Sequence, residues 1–151
     1  MNHIQSHISI IQKLYSMGVQ EHSKFKLSEI LNQQNPGLTT AKYLLAFQKE
    51  LKVLLDQKDP DWFARTHHRG LTYMCNDRKA FIYLDINQSH LSLVFFTGNQ
   101  QIEGLIKGNW SKGTDNLGCK RFIVNNDLTL NLAFKFALAS FEIAKGWEVL
   151  Q

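Results

Sequence analysis

The chain has 151 residues, 44% of them hydrophobic and 20% charged, with a net charge of +4 and a pI near 9.1. That length suits one domain burying about two thirds of its unfolded surface, and that composition excludes a disordered or fibrous chain. Cys75 and Cys119 are too few for a disulfide framework, lack zinc-type spacing, and are expected as reduced, mostly buried thiols.

The N-terminus, Met1 to His7, has neither the basic start nor the apolar run of a leader peptide. The longest aliphatic and aromatic run in the middle of the chain is Leu93-Val94-Phe95-Phe96, far short of a membrane span. A cytoplasmic protein with no membrane partner is expected. Ile4, Ile8, Ile11, Leu14 and Tyr15 recur at three- and four-residue steps and predict a first helix, ended by Gly18. A second, from Lys26 to Gln33, carries Leu27, Ile30 and Leu31 on one side and stops at Asn35-Pro36-Gly37. Residues 1–38 therefore read as a helical N-terminal extension, and residues 39–151 as the main part of one compact α+β domain.

Thr39 and Thr40 offer N-cap hydroxyls for a third helix, whose apolar stripe is Leu44, Phe47, Leu51, Leu54 and Leu55. Asp59-Pro60-Asp61 ends it and begins a short turn, which Trp62 and Phe63 should pin to the core. Beyond Gly70 the pattern changes to strands: Leu71 to Met74, Ala80 to Ile86 and His90 to Thr97, joined by short polar turns that suit antiparallel hairpins.

The segment from Leu128 is ambiguous. Leu128, Leu130, Leu132, Phe134, Phe136 and Leu138 alternate with Thr129, Asn131, Ala133, Lys135 and Ala137 in a strand period, for which Asn125-Asn126-Asp127 would be a hairpin turn. Asp127 is also a good N-cap, and the breaker-free run to Lys145 is rich in Ala, Leu, Lys and Glu, so a helix is the expectation. So apolar a helix must be covered by the sheet and the N-terminal helices, or by a second subunit in a homodimer.

Between these elements, Lys107, Lys112, Lys120 and Arg121 stand against the single acid Asp115, giving residues 104–121 a net charge of +3. With Trp110 among the cations, this glycine-punctuated segment offers charge for phosphate or carboxylate and a ring for stacking, or else is only a solvated basic loop. For metal, Asp56, Asp59 and Asp61 form the only acidic cluster, with His67 and His68 a few residues on. Surface capping explains those acids equally well. His3 and His7, one helical turn apart, are expected to stand in solvent at a fraying terminus. His90 opens the central strand and is expected to be a hydrogen-bonded imidazole lining the space between sheet and helix. The sequence has no Gly-x-Ser-x-Gly elbow, His-Glu-x-x-His helix or Walker-type loop, which disfavours an enzyme.

The order of these elements resembles the YdhG-like family, some of whose members are described as frataxin-like iron chaperones. The resemblance rests on Phe81-Ile82-Tyr83-Leu84, on His90 to Gly98, on Leu105-Ile106-Lys107-Gly108, and on Gly118 with Lys120-Arg121, and it runs from about Thr40 to Lys145. Met74-Cys75 stands where the family tends to have Met-Pro, and the compact Gly-x-Gly-Lys turn of the family is lengthened here to Gly108 to Lys120. The resemblance implies an antiparallel sheet of four to five strands packed against helices, a binding or carrier role, and iron as a ligand. The chain's positive charge opposes attraction of a cation at long range, and an acidic iron ridge has no support in the residues. The expected function is therefore a non-enzymatic carrier of a small ligand, with a basic nucleic-acid or protein-interaction module as the alternative.

Overall fold

The computed structural model describes residues 3–98, 100, 102–105 and 122–146, with the side chains of residues 3–6 left out. The fold is α+β. Among the described residues, four helices accompany one five-stranded sheet in the order α1 (His3–Ser16), α2 (Leu27–Gln34), α3 (Leu38–Asp56), β1 (Phe63–His67), β2 (Gly70–Met74), β3 (Ala80–Ile86), β4 (Leu91–Phe95), β5 (Phe122–Val124) and α4 (Asp127–Lys145). The strands lie in chain order and every neighbouring pair is antiparallel.

Alternation along the strands gives the sheet two unlike faces. Leu71, Tyr73, Ile82, Leu84, Leu93 and Phe95 share one face through the strand register and are wholly buried. A register shift between Tyr73 and Met74 leaves Phe81 unpaired as a bulge, and its ring meets both Tyr73 and Phe141 of α4 on this apolar side. Helix α4 packs on β3, β4 and β5, and α3 packs on β4 and α4. Buried residues of α1 and α2, including Leu14, Leu27 and Leu31, join the same apolar cluster as the sheet. The N-terminal helices are thus part of the one core.

The segment at 128–145 is helical because its ends and its partners agree. Asn126, not Asp127, is the N-cap: its side chain accepts the Thr129 N–H at 2.8 Å while the Thr129 hydroxyl accepts the Asn126 N–H at 3.1 Å. Phe136 and Phe141 are buried, the rings of Phe134 and Phe47 stack at 5.5 Å, and Leu128 alone of the expected stripe stands 68% exposed.

The structure corrects several local expectations. Helix α3 starts one residue before the two threonines, capped at Gly37, and Thr40 is buried with its hydroxyl donating to the Gln88 carbonyl at 3.0 Å. Trp62 is buried, whereas Phe63 is only partly so and opens a strand, β1, that the hydrophobic pattern conceals: its two buried positions are Ala64 and Thr66. His7 is buried rather than solvated, its Nδ1 3.1 Å from Asn32 Oδ1.

A polar chain crosses the core. The Tyr73 hydroxyl donates to Gln48 Oε1 at 2.8 Å, and Gln48 Nε2 donates to the Met17 carbonyl at 3.3 Å, tying β2 to α3 and the end of α1. Both side chains are fully buried, and burial raises the Tyr73 phenol far above its ordinary value. Tyr73→Phe is expected to leave the Gln48 carbonyl unpartnered and lower unfolding free energy by about 1–3 kcal/mol in urea denaturation. Unchanged stability would show that the chain does not hold these elements together.

Candidate functional site

The sheet face turned away from the buried stripe carries polar and basic side chains. Strand register places Arg65, Thr72, Tyr83 and Val94 in one row across β1 to β4, and His67, Gly70, Asp85 and Ser92 in the next. This face holds a hollow of about 720 Å³, with Thr72 of β2, Tyr83 and Asp85 of β3 and Ser92 of β4 among its lining residues. Arg69 and Arg78, from the turns after β1 and β2, complete its basic rim.

His67 and Asp85 belong to strands that are not neighbours, yet their side chains meet at 2.9 Å, Nε2 to Oδ1. The residue between them is Gly70, which has no side chain to fill the gap. A Cβ built there would also come within 2.1 Å of the Leu84 carbonyl oxygen, so β2 and β3 approach too closely for any other residue. The other imidazole nitrogen lies 2.8 Å from the Thr72 hydroxyl. A neutral ring donates from Nε2 to the carboxylate and accepts the Thr72 O–H, and a protonated ring donates to both, so each state is satisfied. Asp85 Oδ2 is also 4.0 Å from Arg69 Nε.

The chain segment after α1 builds one wall. Gln20 lies along the edge of β1, its N–H donating to the Ala64 carbonyl and its carbonyl accepting the Thr66 N–H, both at 2.9 Å. The His22 N–H then donates to Thr66 Oγ1 at 2.9 Å, and the Thr66 hydroxyl donates to the Phe25 carbonyl at 2.6 Å. These bonds hold His22 and Phe25, with their ring centroids 5.2 Å apart, beside the hollow. Among the described lining residues, three arginines face a single carboxylate, Asp85, already engaged by His67. Such a field favours an anion.

The described residues expected to bind ligand or metal do not come together in one site. Lys107, Trp110, Lys112, Lys120 and Arg121 lie outside the described residues, as does Cys119. His90 is half-buried in the turn before β4, its Nδ1 3.2 Å from Ser89 Oγ, and is not among the residues lining the hollow. Asp56 binds Lys52 at 2.7 Å and accepts the Trp62 indole N–H at 2.7 Å. Asp59 pairs with Lys145 and accepts the Asp61 N–H at 2.8 Å. Those acids precede β1, whereas His67 and His68 come at its far end, and only His67 and His68 line the hollow. Among the described residues, no three His, Cys, Asp or Glu side chains are placed to hold a metal ion. Thr72, Tyr83, Asp85 and Ser92, which also line the hollow, carry a signal in the sequence, since each stands between apolar neighbours along its strand; Arg65, between Ala64 and Thr66, carries none.

Neither the models of known protein families, nor curated proteins, nor solved structures contain a match to this chain.

The ion pairs carry a pH signature. The Lys145 ammonium, then the Asp61 N–H, hold the Asp59 carboxyl below its ordinary value of 3.8. A carboxyl lowered in the folded state stabilises fully above its unfolded pKa and loses that contribution as pH falls through the lowered value. Asp59→Asn should therefore melt earlier than the parent at pH 7, with the gap closing as pH falls through and below the ordinary carboxylate range; a gap that does not change with pH would contradict the pairing. Gly70→Ala is expected to cost about 2–3 kcal/mol of unfolding free energy, because β2 must retreat from β3. Parent-like stability in urea would show that the strands have room to spare.

Proposed function

We propose that this protein is a non-enzymatic binding or carrier protein that takes an anionic small ligand into the hollow on the polar face of its sheet. The carrying observation is the charge of that hollow: Arg65, Arg69 and Arg78 line it, and the one carboxylate among its described lining residues is partnered by His67. Its volume suits a small molecule, for which pockets run from about 300 to 1,000 Å³.

Binding rather than catalysis is favoured by the state of the reactive groups. Both nitrogens of His67 are engaged, and Cys75 is buried, a setting that pushes its thiol up and away from the reactive thiolate. Iron, which the resemblance to the YdhG-like family suggests as cargo, draws less support. Asp56 and Asp59 already answer to Lys52, Trp62 and Lys145, and the hollow itself is cationic.

A ligand that binds only the folded state must raise its melting temperature. Phosphate and citrate at low ionic strength are expected to do so, and calorimetry should show affinity falling at least tenfold in Arg65→Ala/Arg78→Ala, since hydrogen bonds to charged groups are worth about 1.5–3 kcal/mol each. Undiminished anion binding by a folded double variant would exclude this hollow as the site.

A further inference from the structure

We propose that the anion held in the hollow is the phosphate of a ligand that also carries a planar ring, a nucleoside phosphate. This rests on the anion-binding reading above and adds the rest of the molecule. A bare inorganic anion would fill only a small part of 720 Å³, and the hollow offers rings as well as cations.

Tyr83 stands on the floor of the hollow in the same cross-strand row as Arg65, with only Thr72 between them. That row spans two strand spacings, about 10 Å, the reach of a ligand with a ring at one end and a phosphate at the other. Phe96 meets the Tyr83 ring edge-on at 4.9 Å and His67 does so at 5.8 Å, which fixes its orientation, while 37% exposure leaves it reachable. At the β1 margin Phe25 supplies a second ring, 6.2 Å from that of His68. Arg65 lines the hollow from β1, and Arg69 and Arg78 line it from the turns after β1 and β2. Stacking tolerates any base because every base has a π face, whereas the arginines require charge. A ligand with both features therefore gains from parts of the hollow that a simple anion leaves unused.

Calorimetry with inorganic phosphate, ribose 5-phosphate, adenosine and AMP separates these contributions. AMP is expected to bind about five- to a hundredfold more tightly than ribose 5-phosphate, the usual effect of stacking one base. Tyr83→Leu, which keeps an apolar strand residue, should bring AMP down to the level of ribose 5-phosphate and leave ribose 5-phosphate unchanged. Phe25→Leu gives an independent second test on a different element, and the circular dichroism of both variants should match the parent. Equal affinity for phosphate, ribose 5-phosphate and AMP would overturn the ring assignment and leave the anion site standing. No binding by any phosphate would overturn both. A decanucleotide distinguishes the source of the nucleotide: binding no tighter per nucleotide than AMP supports a free nucleotide, and much tighter, steeply salt-dependent binding supports the same hollow reading one unit of a single strand.

Discussion

Gly70 is the position on which both faces of the sheet depend. On the backbone it allows β2 to lie so near β3 that a methyl group would strike the Leu84 carbonyl, beside the pairs Leu71–Leu84 and Tyr73–Ile82 whose side chains are buried in the core. On the opposite face it leaves a gap across which His67 and Asp85 reach one another. The carboxylate is thereby bound at the floor of the hollow, and the surrounding arginines keep a net positive field. One missing side chain thus links the packing of the core to the charge of the site.

Much of the architecture could be read in the residue pattern because it follows from side-chain periodicity. The stripe of α3 and the hairpins from β2 to β4 are where the spacing of apolar residues places them. The last helix was harder, since alternating leucines and phenylalanines fit a strand over eleven residues, from Leu128 to Leu138. The Asn126–Thr129 capping box and a run too long for an ordinary strand decide in favour of helix. Strand β1 left no apolar signal, because its inward positions are Ala64 and Thr66 and its stability comes from pairing with β2 and with Gln20. His7 likewise looks like a terminal surface residue until α2 brings Asn32 beside it.

The site was legible only in part. In sequence His67 and His68 lie close to three aspartates, but β1 separates the two groups, and Asp56 and Asp59 are held by cations while His67 is held by a hydroxyl and a carboxylate. The residues that make the hollow lie on four strands, the turns after β1 and β2 and an N-terminal loop, so no local motif records them. Their convergence depends on strand register, and a one-residue slip would turn Arg65, Tyr83 and Asp85 into the core. Residues 1–38, which look like an appendage to the main domain, supply both core leucines and the His22–Phe25 wall of the site.

The location of anion binding is the point that matters most, and backbone amide chemical shifts read it directly. In a phosphate titration followed by two-dimensional NMR, the amides of Arg65, His67, Thr72, Tyr83 and Asp85 should shift together along one saturating curve. Shifts confined to α3 and α4, or none at saturating phosphate, would contradict an anion site on this face of the sheet.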